Sequence, residues 1–280
     1  MYVPGYSVLT LAASECTTIQ DAKPIAGAPI CVLGAGTGLG QCYLTTSDNE
    51  EYTVWPSEGG HCEFAPRTEQ EVELLQFLKS KYNEDFRVSV ERIVSLKGLV
   101  NVYEFLTRHA KRHATPEVRK LVGRDQHVNI AKRSESIMSQ VDTDSVSNTA
   151  LDILVSTYGA EAGCAALKWL PYGGLYVIGK IVQRCPGRFT NSDIFMDAFK
   201  DKGRVSPTIA AIPVKMVVAD DLIMRGCYYL AIKTLRQLDT DRTIARSFVI
   251  TKDGLLRFAT FCFANLALGG LFWKFGTKRT

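Results

Sequence analysis

An α/β fold is predicted for this chain by two observations. Short apolar runs that stop at glycine-rich turns alternate with longer runs of helical period, the order in which strands and helices build layered folds. The chain of 280 residues is 46% apolar and 22% charged, a balance that lets an ordinary globular protein bury one large core or two smaller ones.

Taken in order, Ala28 to Leu33 reads as a strand, Gly34-Ala35-Gly36-Thr37-Gly38-Leu39-Gly40 as a glycine turn and Cys42 to Leu44 as a returning strand. Tyr52 to Trp55 reads as a further strand leading into the turn Pro56-Ser57-Glu58-Gly59-Gly60-His61. Glu69 to Tyr82 has helical period, with Val72, Leu74, Leu75, Phe77 and Leu78 apolar, and Glu91 to Arg112 repeats that pattern. From Arg112 to Asp144 the chain is polar and basic, and an excursion outside the core is expected there. Its cations, Arg108, Lys111, Arg112, Arg119, Lys120, Arg124, Lys132 and Arg133, read as a solvated helical face because no aromatic residues are interleaved for base stacking. Thr149 to Leu170 is a long helix whose small residues from Gly159 to Ala166 admit a close neighbour. Leu175 to Gly179 reads as a buried strand, Ile209 to Val218 as a last strand and Leu222 to Leu238 as a helix.

A formal charge of +4, from 33 basic and 29 acidic side chains, is too small a field to imply nucleic acid or another polyanion as partner. The eight cysteines form no C-x-x-C pair, several lie in apolar runs, and no secretory signal pattern opens the chain. Reduced thiols in a cytoplasmic compartment are expected. Phe258 to Trp273 carries no charge, yet falls short of the roughly 20 residues of a spanning helix. A buried helix, sequence beyond the domain end and a membrane-associating tail all remain open for it.

Two turns and one acid carry the candidate chemistry. Gly36, Thr37 and Gly38 bring backbone N–H groups and a hydroxyl to a strand end where a phosphate can approach. The Walker ending and the G-x-G-x-x-G spacing are both missing, so a glycine hairpin without a ligand is the alternative. Glu58 and His61 flank two glycines, and a carboxylate beside an imidazole suits sugar hydroxyls, which both donate and accept. A surface turn is the alternative, and no third ligand at metal spacing suggests zinc. Glu91 stands before a helix, where an acid is favoured with or without a ligand. His109, His113 and His127 read as solvated.

Leu33 to Gly40, Glu58-Gly59-Gly60-His61-Cys62-Glu63-Phe64-Ala65-Pro66 and Glu91-Arg92-Ile93-Val94-Ser95, in this order, resemble the bacterial-type glucokinase family. The resemblance continues through Gly98 to Tyr103, Tyr158 to Ala166, Gly173 to Val177, Ala198 to Arg204 and Ile212-Pro213-Val214, and covers about residues 5 to 237. It implies an actin-like, ribonuclease-H-like fold, ATP with magnesium carried by the nucleotide, and phosphorylation of glucose at the 6-hydroxyl. It assigns Glu58, His61 and Glu91 to sugar hydroxyls, Gly36, Thr37 and Gly38 to a phosphate, and Gly179 to the adenosine side. A homodimer is left open.

The same resemblance implies what is not in this chain. Gly5-Tyr6-Ser7-Val8-Leu9 matches a segment that follows the family's catalytic aspartate, which would fall just before Met1, as would the N-terminal D-x-G-G-T-N phosphate loop. The expected organisation is a remnant of the small lobe in 1–27, the large lobe in 28–215, a small-lobe helix in 216–238 and a divergent tail in 239–280. Little or no turnover and a tendency to self-associate are expected of such a piece. Three motifs also depart from the family pattern: Leu96-Lys97 in the turn after Glu91, Lys180 after Gly179, and Ile223 before Met224-Arg225-Gly226.

Overall fold

The computed structural model describes residues 2–46, 51–83, 87–110, 113–116, 118 and 129–240. The chain divides into two compact units, Met1–Cys227 and Tyr228–Thr280, and of the second only the run of helix up to residue 240 is described. Phe258 to Trp273 and His127 lie outside the described residues.

The elements are α1 (Tyr2–Ser7), β1 (Cys16–Gln20), β2 (Ile30–Ala35), β3 (Leu39–Thr46), β4 (Tyr52–Ser57), α2 (Glu69–Tyr82), α3 (Leu96–Glu104), α4 (Ile130–Met138) and α5 (Ser145–Trp169). After these come β5 (Gly174–Ile178), α6 (Lys180–Arg184), α7 (Gly187–Thr190), α8 (Ile194–Lys200), α9 (Ser206–Ala210), β6 (Val214–Val217) and α10 (Leu222–Thr240). One six-stranded sheet has the order β1-β6-β5-β2-β3-β4. The meander β2-β3-β4 is antiparallel, β5 and β6 run parallel to β2, and β1 closes the far edge antiparallel to β6. A three-stranded meander followed by parallel strands beside its first member is the ribonuclease-H-like arrangement that the resemblance implies.

β2 is buried along its whole length because both faces of the sheet are covered. Cys31, Leu33 and Ala35 join the main core with α3, α5 and α8. Their neighbours Ile30 and Val32, with Leu44, Cys42 and Val54 across the register, are equally buried and by the period-2 alternation face the other side. There Gly5 of α1 lies against Cys42 and Val54, with room for no larger residue. Burial pushes the Cys42 thiol up to about 12, and all seven described cysteines are free thiols.

Helix ends follow their capping residues. Thr68 and Ser95 accept backbone N–H groups at the starts of α2 and α3, and Asp144 accepts Ser147 N–H at the start of α5. α5 ends at Leu170, whose φ of 43° is left-handed. A branched side chain there costs energy that glycine avoids. Leu170→Gly is therefore expected to raise stability by about 0.5–1 kcal/mol, read as a higher urea midpoint at unchanged m. A lower midpoint would show that the leucine side chain contributes more than the strain costs.

Two readings of the sequence are corrected. The single strand expected over Ile209 to Val218 is the short helix α9 followed by β6, because Pro207 sits in the first helical turn and Pro213 supplies no N–H to extend the strand. The basic stretch after Arg112 is not wholly an excursion, since Ala114, Val118, Ile137 and Met138 belong to the core. Nor is its charge wholly a solvated face: Arg133, its side chain 12% exposed, pairs with buried Glu104. Arg108 and Lys132 are exposed, as are His109 and His113.

Candidate functional site

The first three residues of β3 organise both glycine turns. Leu39 pairs with Ala35 across the hairpin, enclosing Gly36-Thr37-Gly38. Its N–H donates to Glu91 Oε2 at 2.8 Å, and its carbonyl abuts Gly60, where any Cβ would collide with it. Two residues on, Gln41 lies against Gly59 with its Cδ 2.7 Å from where a Cβ would stand. Close approach to backbone requires glycine at Gly60, whereas at Gly59 a Cβ would have to displace the Gln41 amide.

The turn Gly59–His61 is a 3-10 helix opening directly from β4. Ser57 Oγ accepts the Gly59 N–H at 3.0 Å and Glu58 O accepts the His61 N–H at 2.9 Å. His61 Nε2 lies 3.7 Å from Glu58 Oε2, and the two side chains are 55% and 92% exposed. Both therefore face solvent from one hydrogen-bonded turn. Cys62 O accepts the Val90 N–H at 2.8 Å, which ties this turn to the 3-10 turn Val90–Arg92 that carries Glu91.

Glu91 reaches back to the phosphate-type turn. Gly38 sits so close to the Glu91 carboxylate that a Cβ would come within 3.0 Å of its Cδ and collide with Oε2. Gly36 O accepts the Leu96 N–H at 2.8 Å, binding the same turn to the start of α3. The segment between is held by Ser95, whose hydroxyl donates to Glu91 O at 2.7 Å and accepts the Gly98 N–H at 2.9 Å. Gly98 packs against Ile93, where a Cβ would strike its carbonyl oxygen.

The sequence expectation offered the amides of the glycine turn to a phosphate. One of them is already engaged, Gly36 N–H donating to Gly38 O at 2.8 Å, and so is the adjoining Leu39 N–H, which donates to Glu91. Thr37 is exposed at the tip, and a Cβ on Gly36 would meet nothing within 4 Å. Gly179 stands at the carboxyl end of β5, which runs parallel to β2 with Gly34 opposite Ile178. Its φ of +106° and its approach to Ala35, within 3.0 Å of the peptide nitrogen for any Cβ, both demand glycine. Gly179 and the Gly36-Thr37-Gly38 turn thus share one end of the sheet, at strand carboxyl ends where α/β folds bind ligands.

Several partners were not singled out from the sequence. Gln41 Nε2 donates to Glu161 Oε1 of α5 at 2.6 Å, and both side chains are buried. A polar residue at an inward position of β3 was the available signal. Tyr82 is faced by three cations, Arg92 at 3.9 Å, Lys97 at 5.3 Å and Lys81 at 5.7 Å from its ring centroid. Partial burial, then the Arg92 and Lys81 charges, hold the Lys97 ammonium below its ordinary value. The departures Lys97 and Lys180 are both exposed, so neither fills the space of the glycines beside it. Among the described residues no group of three His, Cys, Asp or Glu is placed to hold a metal ion, and no helix is long and apolar enough to cross a membrane.

Comparison with known proteins agrees with this frame. A glucokinase from Nostoc sp. is 39% identical over 229 residues, spanning 79% of this chain and 66% of the relative. The crystal structure of a glucokinase from an Antarctic psychrotroph superposes with a TM-score of 0.68 at 25% identity, over 82% of this chain and 66% of that one. A glucokinase from Balamuthia mandrillaris in complex with glucose gives 0.66 at 20% identity, over 82% and 63%, a likeness of fold. The chain thus spans just under two thirds of the length of the relatives it matches. With the glucokinase family model matching residues 2–234, on a fold and at motifs already in place, the chain belongs to the glucokinase family.

Proposed function

We propose that this chain supplies the sugar side and one phosphate side of an ATP-dependent glucose kinase, with Glu58, His61 and Glu91 meeting sugar hydroxyls. One observation carries the reading: Glu91 accepts the Leu39 N–H at the edge of the glycine turn, so a single carboxylate links the proposed sugar and phosphate elements. A sugar whose hydroxyls met Glu58, His61 and Glu91 would stand beside Gly36, Thr37 and Gly38. Proximity of this kind is the main contribution a kinase makes to phosphoryl transfer.

Gly36, Thr37, Gly38 and Gly179 fit a nucleotide, since bare backbone and one hydroxyl gather at one end of the sheet. ATP would supply the phosphoryl group, with magnesium held by its phosphates to neutralise their charge. Transfer also needs a carboxylate to accept the 6-hydroxyl proton. The resemblance puts that group ahead of the Gly5–Leu9 segment, and Glu58, His61 and Glu91 serve as binding groups. On the same reading 28–215 is the large lobe, and the small-lobe helix within 216–238 is α10, which begins at Leu222 after β6.

Glucose binding by titration calorimetry, followed by glucose-dependent ADP release with ATP and magnesium, tests the reading. The Glu58→Ala/His61→Ala double variant is expected to lose measurable glucose binding while unfolding at the same urea midpoint, since both side chains are exposed. Equal affinity in the two proteins would overturn it. Binding without ADP release in the parent chain would favour a sugar-binding role without transfer.

A further inference from the structure

The buried carboxylate of Glu161 has no role in the reading above. It lies within the main-core helix α5, 8% exposed, and burial pushes its carboxyl above the usual range, with Gln41, Lys168 and Lys202 opposing that rise. An acid in such a place costs stability that a leucine would not. What it does structurally is hold one amide. Gln41 Nε2 donates to Glu161 Oε1 at 2.6 Å, and that bond decides which way round the Gln41 amide sits, because a carboxylate accepts and does not donate.

The other end of the same amide faces the Glu58–His61 turn. Gln41 presents Oε1 and Cδ to Gly59, the Cδ 2.7 Å from the position of a Cβ. Directly opposite Gln41 in the β3/β4 register is Ser57, whose hydroxyl takes the Gly59 N–H at 3.0 Å. Gly59 is therefore pressed between an oriented amide and a serine hydroxyl at the root of the turn. A flipped Gln41 would exchange the two amide atoms beside Gly59, setting the NH2 group, now 3.2 Å from the Cβ position, where Oε1 stands at 2.4 Å, and loosen that seat.

We propose that Glu161 is a positioning residue for the Glu58–His61 turn, acting through Gln41, so that helix α5 sets where the carboxylate and imidazole stand. This rests on reading that turn as the sugar contact, but the positioning itself is measurable without sugar. The chain of contact is short: Glu161 on α5, Gln41 on β3, Gly59 at the start of the turn.

Three variants and two readouts test it. Glu161→Leu is expected to fall below the parent in urea midpoint, since it leaves the buried Gln41 Nε2 without the acceptor it now has at 2.6 Å. Amide hydrogen exchange at Gly59 and His61 is expected to quicken by about tenfold, the scale of one net hydrogen bond to a charged group, with exchange in the middle of α5 unchanged. Glu161→Gln, whose amide oxygen can accept the same bond, is expected to stay within about twofold of the parent. The double variant Gln41→Leu/Glu161→Leu, which leaves no buried amide unpaired, is expected to show the same quickening and guards against misfolding of the single one. Unchanged exchange at Gly59 and His61 in both Leu variants would overturn the proposal. Glucose affinity is the second readout: a fall of about tenfold with quickened exchange supports both readings. Quickened exchange with unchanged glucose affinity keeps the positioning and refutes the sugar role of the turn.

Discussion

Glu104→Ala is expected to lower folding stability by about 3–5 kcal/mol, the cost of breaking a buried ion pair by removing one partner. Glu104 of α3 is 8% exposed. Its Oε2 accepts Lys81 Nζ at 2.6 Å and its Oε1 accepts Arg133 Nη2 of α4. Lys81 also donates to Asn101 Oδ1 at 2.7 Å, and the same oxygen accepts the Tyr82 hydroxyl at 2.9 Å. Removing the carboxylate leaves an ammonium and a guanidinium, 26% and 12% exposed in their side chains, without their common counter-charge. Urea unfolding at pH 7 measures the loss, and a change below about 1 kcal/mol would place this network among pairs of surface value.

The same group gives a pH signature. Burial alone would raise the Glu104 carboxyl, but Lys81 and Arg133 outweigh burial and hold it below the ordinary range. A folded-state value below the unfolded one means that its stabilisation is complete above the unfolded pKa of about 4.3. That stabilisation is lost as pH falls through the folded value. The stability gap between parent and Glu104→Gln should therefore shrink on acidification below about pH 4. A gap that stays constant down to pH 3, in the same roughly estimated range, would mean that Glu104 contributes by shape and hydrogen bonding, not by charge.

Gly98→Ala is the second large effect, expected to cost about 3 kcal/mol, the upper end of ordinary overpacking. The atoms a Cβ would meet are Ile93 O, C and Cα, the last at 2.7 Å. They are backbone, so no side chain can swing aside. Relief must come from moving the segment between Glu91 and Ser95, which carries Glu91 itself. Glucose affinity should thus fall by more than the loss of folded protein explains. A variant that binds glucose normally in its folded fraction would show that the segment yields elsewhere.

What was legible in the sequence was whatever is encoded locally. The β2-turn-β3 hairpin shows as two apolar runs about a glycine turn, and α2 shows as a 3.6-residue period between Thr68 and Asn83, where the helix begins and ends. The stretch after Arg112 was opaque because its apolar residues, among them Val118, Ile130, Ile137, Met138 and Val141, are scattered among charged and polar ones and are recognisable as core only once α3 and α5 surround them. The candidate site divides in the same way. Glu58, His61 and Glu91 stand out by motif, yet nothing local says that Leu39 and Gln41 are the pivot between them. The Gln41–Glu161 bond joins positions 120 residues apart, and no spacing rule reaches so far.

The seam between β1 and β6 bears on how the chain is made. Thr17 pairs with Met216, and Gln20 Nε2 reaches Ile209 O and Ile212 O across separations of 189 and 192 residues. At typical elongation rates the first strand leaves the ribosome roughly 10–40 s before its partner exists. Among the described strands β1 pairs only with β6, so it has no partner among them until β6 is made, and β6 has an unpaired edge until β1 docks. Such high-contact-order closure is slow. Weakening Gln20 or the Glu15–Arg225 pair, which spans 210 residues, would therefore reduce the yield of soluble protein in a growing cell far more than it lowers the melting point of protein already folded.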